Sequence, residues 1–307
     1  MSRVTVFGSF VVDLMARTPH LPVPGETVKG TMFRLGPGGK GFNQAVAAHK
    51  AGAEVTVVTK LGRDSFAAVA EDTMRELGMD ASRVLYSEDA PTGCALISVD
   101  EKTGQNEIVI VPGALNTISP EETETLRGLL ADSEYVLLQL EVNQDANERV
   151  AGLARETGCK VILNSAPYSP VTDAFLSLCA MVTPNETEAE ALTGVHVETD
   201  EDAAEAAAYF HERGVETVLI TLGQRGVFYS MKGEHKRIPA FEVEAVDTTG
   251  AGDAFNGGLL AGLAEQMKLP EAIRFGQATA ALSVQKIGTT PAMPARAEID
   301  AFLREHS

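Results

Sequence analysis

Positive charge is scarce in this sequence. Lys and Arg together number 25 against 43 Asp and Glu, a formal net charge of -18 over 307 residues. That balance argues against non-specific binding to nucleic acid or to an anionic membrane, since either needs a basic face. A phosphorylated ligand would then require a local positive site. Cysteine is almost absent: Cys94, Cys159 and Cys179 are odd in number, scattered and set among apolar neighbours. They offer no CxxC pair and read as reduced core residues of a cytosolic protein. No apolar run approaches membrane-spanning length and no cationic start leads into an apolar stretch, so a cytoplasmic protein with no membrane partner is expected. Fixed-period repeats and low-complexity linkers are also missing, which points to one core domain, long enough to bury a substantial interior.

What the sequence does contain is short apolar runs alternating with amphipathic segments. Residues 4–7 read as a strand entering Gly8, and residues 11–15 continue the run with Asp13 embedded in it. A carboxylate there needs partners, either turn amides or the hydroxyls of a ligand. Residues 19–36 hold three prolines and three glycines and suggest an irregular or edge-strand excursion. Residues 53–61 read as one strand, and Asp64 then caps a helix ending at Gly78. Residues 93–100 and 107–111 alternate around Glu101-Lys102-Thr103-Gly104-Gln105, a hairpin signature. Neither excursion carries a helix, so the two are expected to pair into a small sheet that covers a site or meets a partner.

From the capping box Ser119-Pro120-Glu121-Glu122 the rhythm becomes regular. Strands are expected at 135–140, 160–163, 181–182 and 217–221, with helices at 145–156, 171–178, 186–192 and 201–213. Such spacing means right-handed βαβ units and an α/β fold with a mostly parallel central sheet flanked by helices. The expected division is a core of residues 1–10, 37–90 and 114–307, with a β lid of residues 11–36 and 91–113. Ligands of such sheets bind beyond the carboxyl ends of the strands. Glu141, Asn164, Asn185 and the turn Thr221-Leu222-Gly223-Gln224-Arg225-Gly226 would line that rim.

Three further segments offer chemistry with a plain structural alternative beside each. Gly38-Gly39-Lys40-Gly41-Phe42-Asn43 precedes an Ala-rich helix expected at 44–50. It is not a Walker P-loop, because no Gly stands five before Gly39 and Gly41 replaces the magnesium-binding Ser or Thr. The glycines could admit a small polar ligand with Lys40 and Asn43 as donors, or simply form a turn before a helix. Asn185-Glu186-Thr187-Glu188 could order water around magnesium and contact phosphate, or cap a helix with an acidic first turn. In Asp247-Thr248-Thr249-Gly250-Ala251-Gly252-Asp253, residues 250–252 would place amides at the start of an apolar helix expected at 254–267, an anion site. Asp253 either caps that helix or takes a proton beside the anion.

The order of these motifs, Gly-Gly-Lys-Gly, Asn-x-x-Glu, Thr-x-Gly-x-x-Gly and Asp-Thr-x-Gly-Ala-Gly-Asp-x-Phe, resembles the ribokinase, or PfkB, family of ATP-dependent sugar kinases over almost the whole chain. Pro24-Gly25-Glu26-Thr27, Gln139-Leu140-Glu141 and Thr183-Pro184-Asn185-Glu186-Thr187-Glu188-Ala189-Glu190 look closest to ribokinases and deoxyribokinases. The resemblance implies a ribokinase-like fold and phosphoryl transfer from ATP to the 5-hydroxyl of a pentose, with D-ribose the leading substrate and fructose or a nucleoside less favoured. It makes Asp253 an ionised, weakly basic proton acceptor, and makes the amides of Gly250, Ala251 and Gly252 the anion hole. Val11, Asp13, Gly39, Lys40, Asn43, Glu141 and Asp253 would line the sugar site. Asn185, Thr221, Gly223, Gly226, Gly252 and Gln277 would line the nucleotide site. Glu188 would serve Mg2+ through water, and Asp247, Thr249, Ser283, Lys286 and Gly288 would hold K+. Pairing of two subunits through the β lid is implied as well.

Two residues depart from the ribokinase pattern. Val11 stands where ribokinases carry a sugar-binding Asn, and an unpaired buried hydroxyl costs about 1–3 kcal/mol, which favours 2-deoxyribose as the alternative substrate. Ala292 stands where a hydroxyl often helps hold the cation. A non-catalytic sugar-binding regulator on the same fold is the alternative of a different class.

Overall fold

A computed structural model describes residues 2–231 and 233–306. Strand β1 (Arg3–Phe7) ends at Gly8, where a Cβ would lie 1.9 Å from Oε1 of Gln139. No side chain fits there, and the chain turns out of the central sheet. The run expected over residues 4–15 is therefore two strands, because β2 (Val11–Thr18) belongs to a different sheet. Strand β3 (Met32–Gly38) pairs antiparallel with β2. Helix α1 (Lys40–Lys50) begins four residues before the expected start, since Gly39 at φ 92° sets its N-terminus. The strand expected at 53–61 also divides, into β4 (Glu54–Val58) on β1 and β5 (Lys60–Gly62) on β6 (Leu85–Ser87). Before helix α2 (Ala67–Leu77), Asp64 Oδ1 accepts the amides of Phe66 and Ala67 as expected, and Gly78 at φ 68° ends it. Strands β7 (Gly93–Asp100) and β8 (Asn106–Val111) form the hairpin. The two excursions pair into one four-stranded sheet, in the order β3-β2-β7-β8.

The regular half follows. The Ser119 capping box opens α3 (Pro120–Glu124), and α4 (Arg127–Ala131) leads to β9 (Tyr135–Leu138). This strand is shorter than the expected 135–140, because its ladder to both neighbours ends at Leu138, opposite Phe7 and Leu163. Then come α5 (Gln144–Thr157), β10 (Lys160–Leu163), α6 (Asp173–Leu176), β11 (Cys179–Val182), α7 (Glu186–Thr193), α8 (Asp200–Glu212) and β12 (Thr217–Thr221). Two antiparallel strands, β13 (Val227–Met231) and β14 (Glu234–Ile238), extend the sheet beyond what the pattern announced. Strand β14 is an exposed edge, so its Glu234-His235-Lys236-Arg237 run shows no apolar alternation. Helices α9 (Ala251–Ala264), α10 (Leu269–Ser283) and α11 (Arg296–Glu305) complete the chain.

The central sheet runs β14-β13-β12-β11-β10-β9-β1-β4, parallel from β12 to β4. Alternate residues of its strands enter two apolar clusters. Val6, Val57, Leu137, Ile162 and Leu219 pack toward α1, α9 and α10, while Phe7, Val58, Leu138, Leu163 and Ile220 pack toward α5 and α8. This is a sheet with helices on both faces. Helix α9 is apolar around nearly its whole circumference because it lies between α1 and α10. A Cβ on Gly257 would meet Ala47 Cβ at 2.4 Å, and one on Gly258 would meet Thr279 Oγ1 at 2.4 Å. Among the described residues no helix is long and apolar enough to cross a membrane.

Candidate active site

The N-terminus of α9 is the point where the site converges. Gly250 adopts φ 76° as its N-cap. Of the three amides expected to form an anion hole, that of Ala251 is bonded to Thr248 O at 3.2 Å. The Gly250 and Gly252 amides have no protein acceptor among the described residues, and a Cβ on Gly252 would meet open space. Asp253 follows at 6% exposure. Its Oδ1 accepts Gln44 Nε2 at 2.9 Å and its Oδ2 accepts Asn43 Nδ2 at 3.1 Å. Burial raises its proton affinity, against which Lys40 and the two amide donors pull back. The weakly basic carboxylate expected at a helix end is thus corrected: being buried, Asp253 holds a proton more tightly than an exposed Asp.

Around it stand three more acids and one cation. Burial, helped by Glu141 and Asp253, pushes the Asp13 carboxyl up to about 6. Burial also raises Glu188, opposed by the Asn185 amide and Lys40. Lys40 would be lowered by burial, but Asp253, Glu141 and Glu188 outweigh that and its net shift is upward. Glu141 Oε2 accepts the Lys40 amide at 2.9 Å and the Ser9 hydroxyl. The glycines around the start of α1 are crowded on their Cβ side: a Cβ on Gly38 would strike Oδ1 of the Asp13 carboxylate at 2.2 Å, and one on Gly41, in the first turn of α1, would meet Ser9 N at 2.6 Å. Asn43, expected to face the sugar, directs its amide to Asp253 and accepts Thr290 Oγ1 at 2.9 Å. Val11 is 4% exposed within the cluster holding Phe7, Ala95 and Leu115, and shares a face of β2 with Asp13.

Two cavities meet over Gly252. A polar one of about 180 Å³ is lined by Lys40, Asn164, Asn185, Glu188, Asp253 and Asn256, among others. The larger, of about 710 Å³, has Thr221, Gly223, Gly226 and Gln277 in its wall beside Phe241, Val243, Ala281 and Val284. Asn185, Thr221, Thr248, Ala251 and Gly252 border both. Asn185 is also the N-cap of α7, its Oδ1 accepting Glu188 N at 2.8 Å, while Glu188 Oε2 accepts Asn185 N at 3.0 Å. The cap leaves the Asn185 amide donors and one Glu188 oxygen for other work. Gly226 at φ 102° is imposed by β14, since a Cβ would lie 2.1 Å from Ile238 O. Gln277 donates to that same carbonyl at 3.0 Å. A narrow acidic chamber joined to a wider, apolar-walled one suits two substrates that meet at the joint.

A family model for pfkB carbohydrate kinases matches residues 1–296. The chain belongs to the pfkB family. A ribokinase of Haemophilus influenzae is 43% identical over 304 residues, 99% of each chain. A deoxyribokinase of Salmonella typhi is 34% identical over 304 residues, 98% of each. The structure of Arabidopsis thaliana ribokinase complexed with ribose and ATP aligns with a TM-score of 0.92 at 31% identity, covering 99% of both chains. The chain is accordingly a phosphotransferase with an alcohol group as acceptor, on the ribokinase-like fold.

In this pfkB kinase the loop before α9 folds on its own acid. Asp247 Oδ1 accepts Thr249 N and Oδ2 accepts Gly288 N, each at 2.9 Å. Burial would raise the Asp247 carboxyl, but Thr249 and the Gly288 amide outweigh it and the net shift is downward. Gly288 is thereby brought to Asp247. The side chains of Ser283 and Lys286 point elsewhere, to Ala280 O and to Glu298, leaving only their carbonyls for a cation. Ala292 is buried with no side-chain oxygen to offer. Sequence reasoning missed Gln44, Thr248 and Arg225. The last pins the 221–226 turn by donating to Val197 O at 3.1 Å and to Glu186 at 3.2 Å. An Arg between two motif glycines was the available signal, whereas Gln44 sat unmarked inside an Ala-rich helix.

Proposed function

We propose that the chain transfers the γ-phosphoryl group of ATP to the 5-hydroxyl of a pentose, with D-ribose the leading substrate. The observation that carries this reading is Asp253 in the wall of the polar cavity, beside Lys40 and next in sequence to Gly252, which borders both cavities. Asp13, Glu141 and Lys40 would bind the sugar hydroxyls, Lys40 from the wall of the polar cavity that also holds Asp253 and Glu188. The sugar oxygen attacks the γ-phosphorus, the bond to the β,γ-bridging oxygen breaks, and the hydroxyl proton passes to Asp253. Transfer of this kind has a loose transition state, so positioning and charge stabilisation dominate. The Gly250 and Gly252 amides would face the developing charge. ATP would lie along Asn185, Thr221, Gly223 and Gly226, with its base against the apolar wall and Gln277.

Mg2+ fits the free oxygen of Glu188 beside Asn185, because magnesium keeps most of its ligands as water and phosphate; it would offset phosphate charge. K+ would fit Asp247 with the carbonyls of Thr249, Ser283, Lys286 and Gly288. The four-stranded sheet would act as the lid over the sugar and as a homodimer interface. Its face carrying Leu35, Leu96 and Val109 is 48%, 49% and 58% exposed at those residues, a row of adjacent exposed apolar side chains of the kind that contacts a partner. The three free cysteines suit a cytoplasmic enzyme.

A 2-deoxyribose kinase is the second reading, favoured by Val11 and by the deoxyribokinase relative. Turnover on ribose, 2-deoxyribose, fructose and adenosine with Mg2+ and K+ decides between them. Ribose is expected to lead, and Val11→Asn should raise the ribose-to-deoxyribose ratio of kcat/KM roughly tenfold, the equivalent of about 1.4 kcal/mol. No turnover of either pentose would sink the assignment. Asp253→Asn should bind sugar and ATP yet lose about 10²–10⁴ in kcat; full activity would remove Asp253 as the base.

A further inference from the structure

A chain of buried amides ends on the base. Asn164 Nδ2 donates to Thr183 O at 2.9 Å, which fixes the orientation of that amide because a carbonyl can only accept. Asn164 Oδ1 must then face Gln44, and it accepts Gln44 Nε2 at 2.9 Å. The same nitrogen donates its second hydrogen to Asp253 Oδ1 at 2.9 Å. Gln44 Oε1, left on the other side, accepts Gln139 Nε2 at 2.7 Å. The main chain at Gln139 is fixed in turn by Asn147, whose Nδ2 donates to the Gln139 backbone carbonyl at 2.7 Å. Gln44, Gln139 and Asn147 have no exposed surface. Every hydrogen-bonding atom of Gln44's amide is thus committed, and the orientation is dictated by a backbone carbonyl on the far side of Asn164.

We propose that Gln44 is a positioning residue for phosphoryl transfer, which with Asn164 and Gln139 holds the Asp253 carboxylate in one rotamer with a lone pair turned to the sugar chamber. The inference rests on the reading of Asp253 as the base. A turned Gln44 would present a carbonyl oxygen to a carboxylate, and the Thr183 carbonyl prevents this by locking Asn164. Asp253 is also faced by Lys40 and Asn43 from α1 and by Glu141 after β9, and it lies in the field of Asp13 from β2 and Glu188 from α7. Gln44 is the neighbour that binds Oδ1 and stands apart from the substrates.

The test compares wild type, Gln44→Leu, Gln139→Met and Asp253→Asn by steady-state kinetics from pH 5 to 9, with ADP binding measured by calorimetry. Gln44→Leu should bind ADP and keep the pentose KM within about threefold, lose 10- to 100-fold in kcat, and shift the acid limb of the kcat profile to higher pH. Gln139→Met, which leaves the donor in place but unseats its far side, should show a smaller loss of the same pattern and covers the case of a Gln44 variant that does not fold. Wild-type kcat in both variants, or a kcat loss with an unmoved acid limb, overturns the proposal. If Asp253→Asn loses turnover while Gln44→Leu does not, only the positioning role fails. Full activity in Asp253→Asn instead removes the base reading beneath it.

Discussion

Asp13 is held at a cost in stability. Its carboxyl is raised to about 6, first by burial and then by Glu141 and Asp253. For an acid with a raised folded value, the folded state binds more protons than the unfolded one between about pH 4 and 6, so stability falls as pH rises through that window. The loss is on the order of 1–3 kcal/mol and is complete above it. Asp13→Asn should therefore melt higher than wild type at pH 8, match it near pH 4, and fail to bind the pentose; equal melting at pH 8 would refute the sign. Asp13 was legible as an acid in an apolar run, and Asp253 as an acid after glycines. Their proton affinities were not, because burial depends on packing by distant elements. Asn43 shows the same limit: its amide type was visible in the motif, but its commitment to Asp253 and Thr290 is set by residues more than 200 positions away.

Helix α9 shows how the same substitution can take opposite signs in two elements. A Cβ on Gly257 would reach Gln44 O at 2.6 Å and Ala48 N at 2.8 Å, both backbone atoms of α1. Gly257→Ala should destabilise by about 1–3 kcal/mol despite the gain in helix propensity, and kcat should fall because α1 carries Asn43 and Gln44. Gly152 in α5 meets nothing within 4 Å, so Gly152→Ala should stabilise by about 0.4–1 kcal/mol. Urea midpoints for the two variants must move in opposite directions. At this scale the parallel strands and their helices were readable from period and caps. The division of residues 53–61 was not, since β4 and β5 share an apolar run and only their partners differ. Strand β14 escaped because an exposed edge needs no apolar alternation.

Across the whole molecule, the apolar outer face of the small sheet asks for a partner surface. On the proposed pairing through this sheet, wild type should sediment as a dimer at micromolar concentration and Leu96→Asp as a monomer; the same mass for both would remove the sheet as the interface. A charge there is 49% exposed in the lone chain and so leaves the fold intact. The excursions announced the sheet by lacking helices, but its apolar outer face is a property of register, which no single strand declares. Two connections have a mechanical outcome. Only Gly8, Ser9 and Phe10 separate β1 from β2, with Ser9 and Phe10 buried, and Gly39 alone separates β3 from α1, so the small sheet is tethered closely to the core. Asp13 belongs to the small sheet, whereas Lys40, Glu141 and Asp253 belong to the core. On the proposed function, a sugar held by both sets would tie the small sheet to the core, and the free energy of gripping it would be the same free energy that keeps the chamber shut.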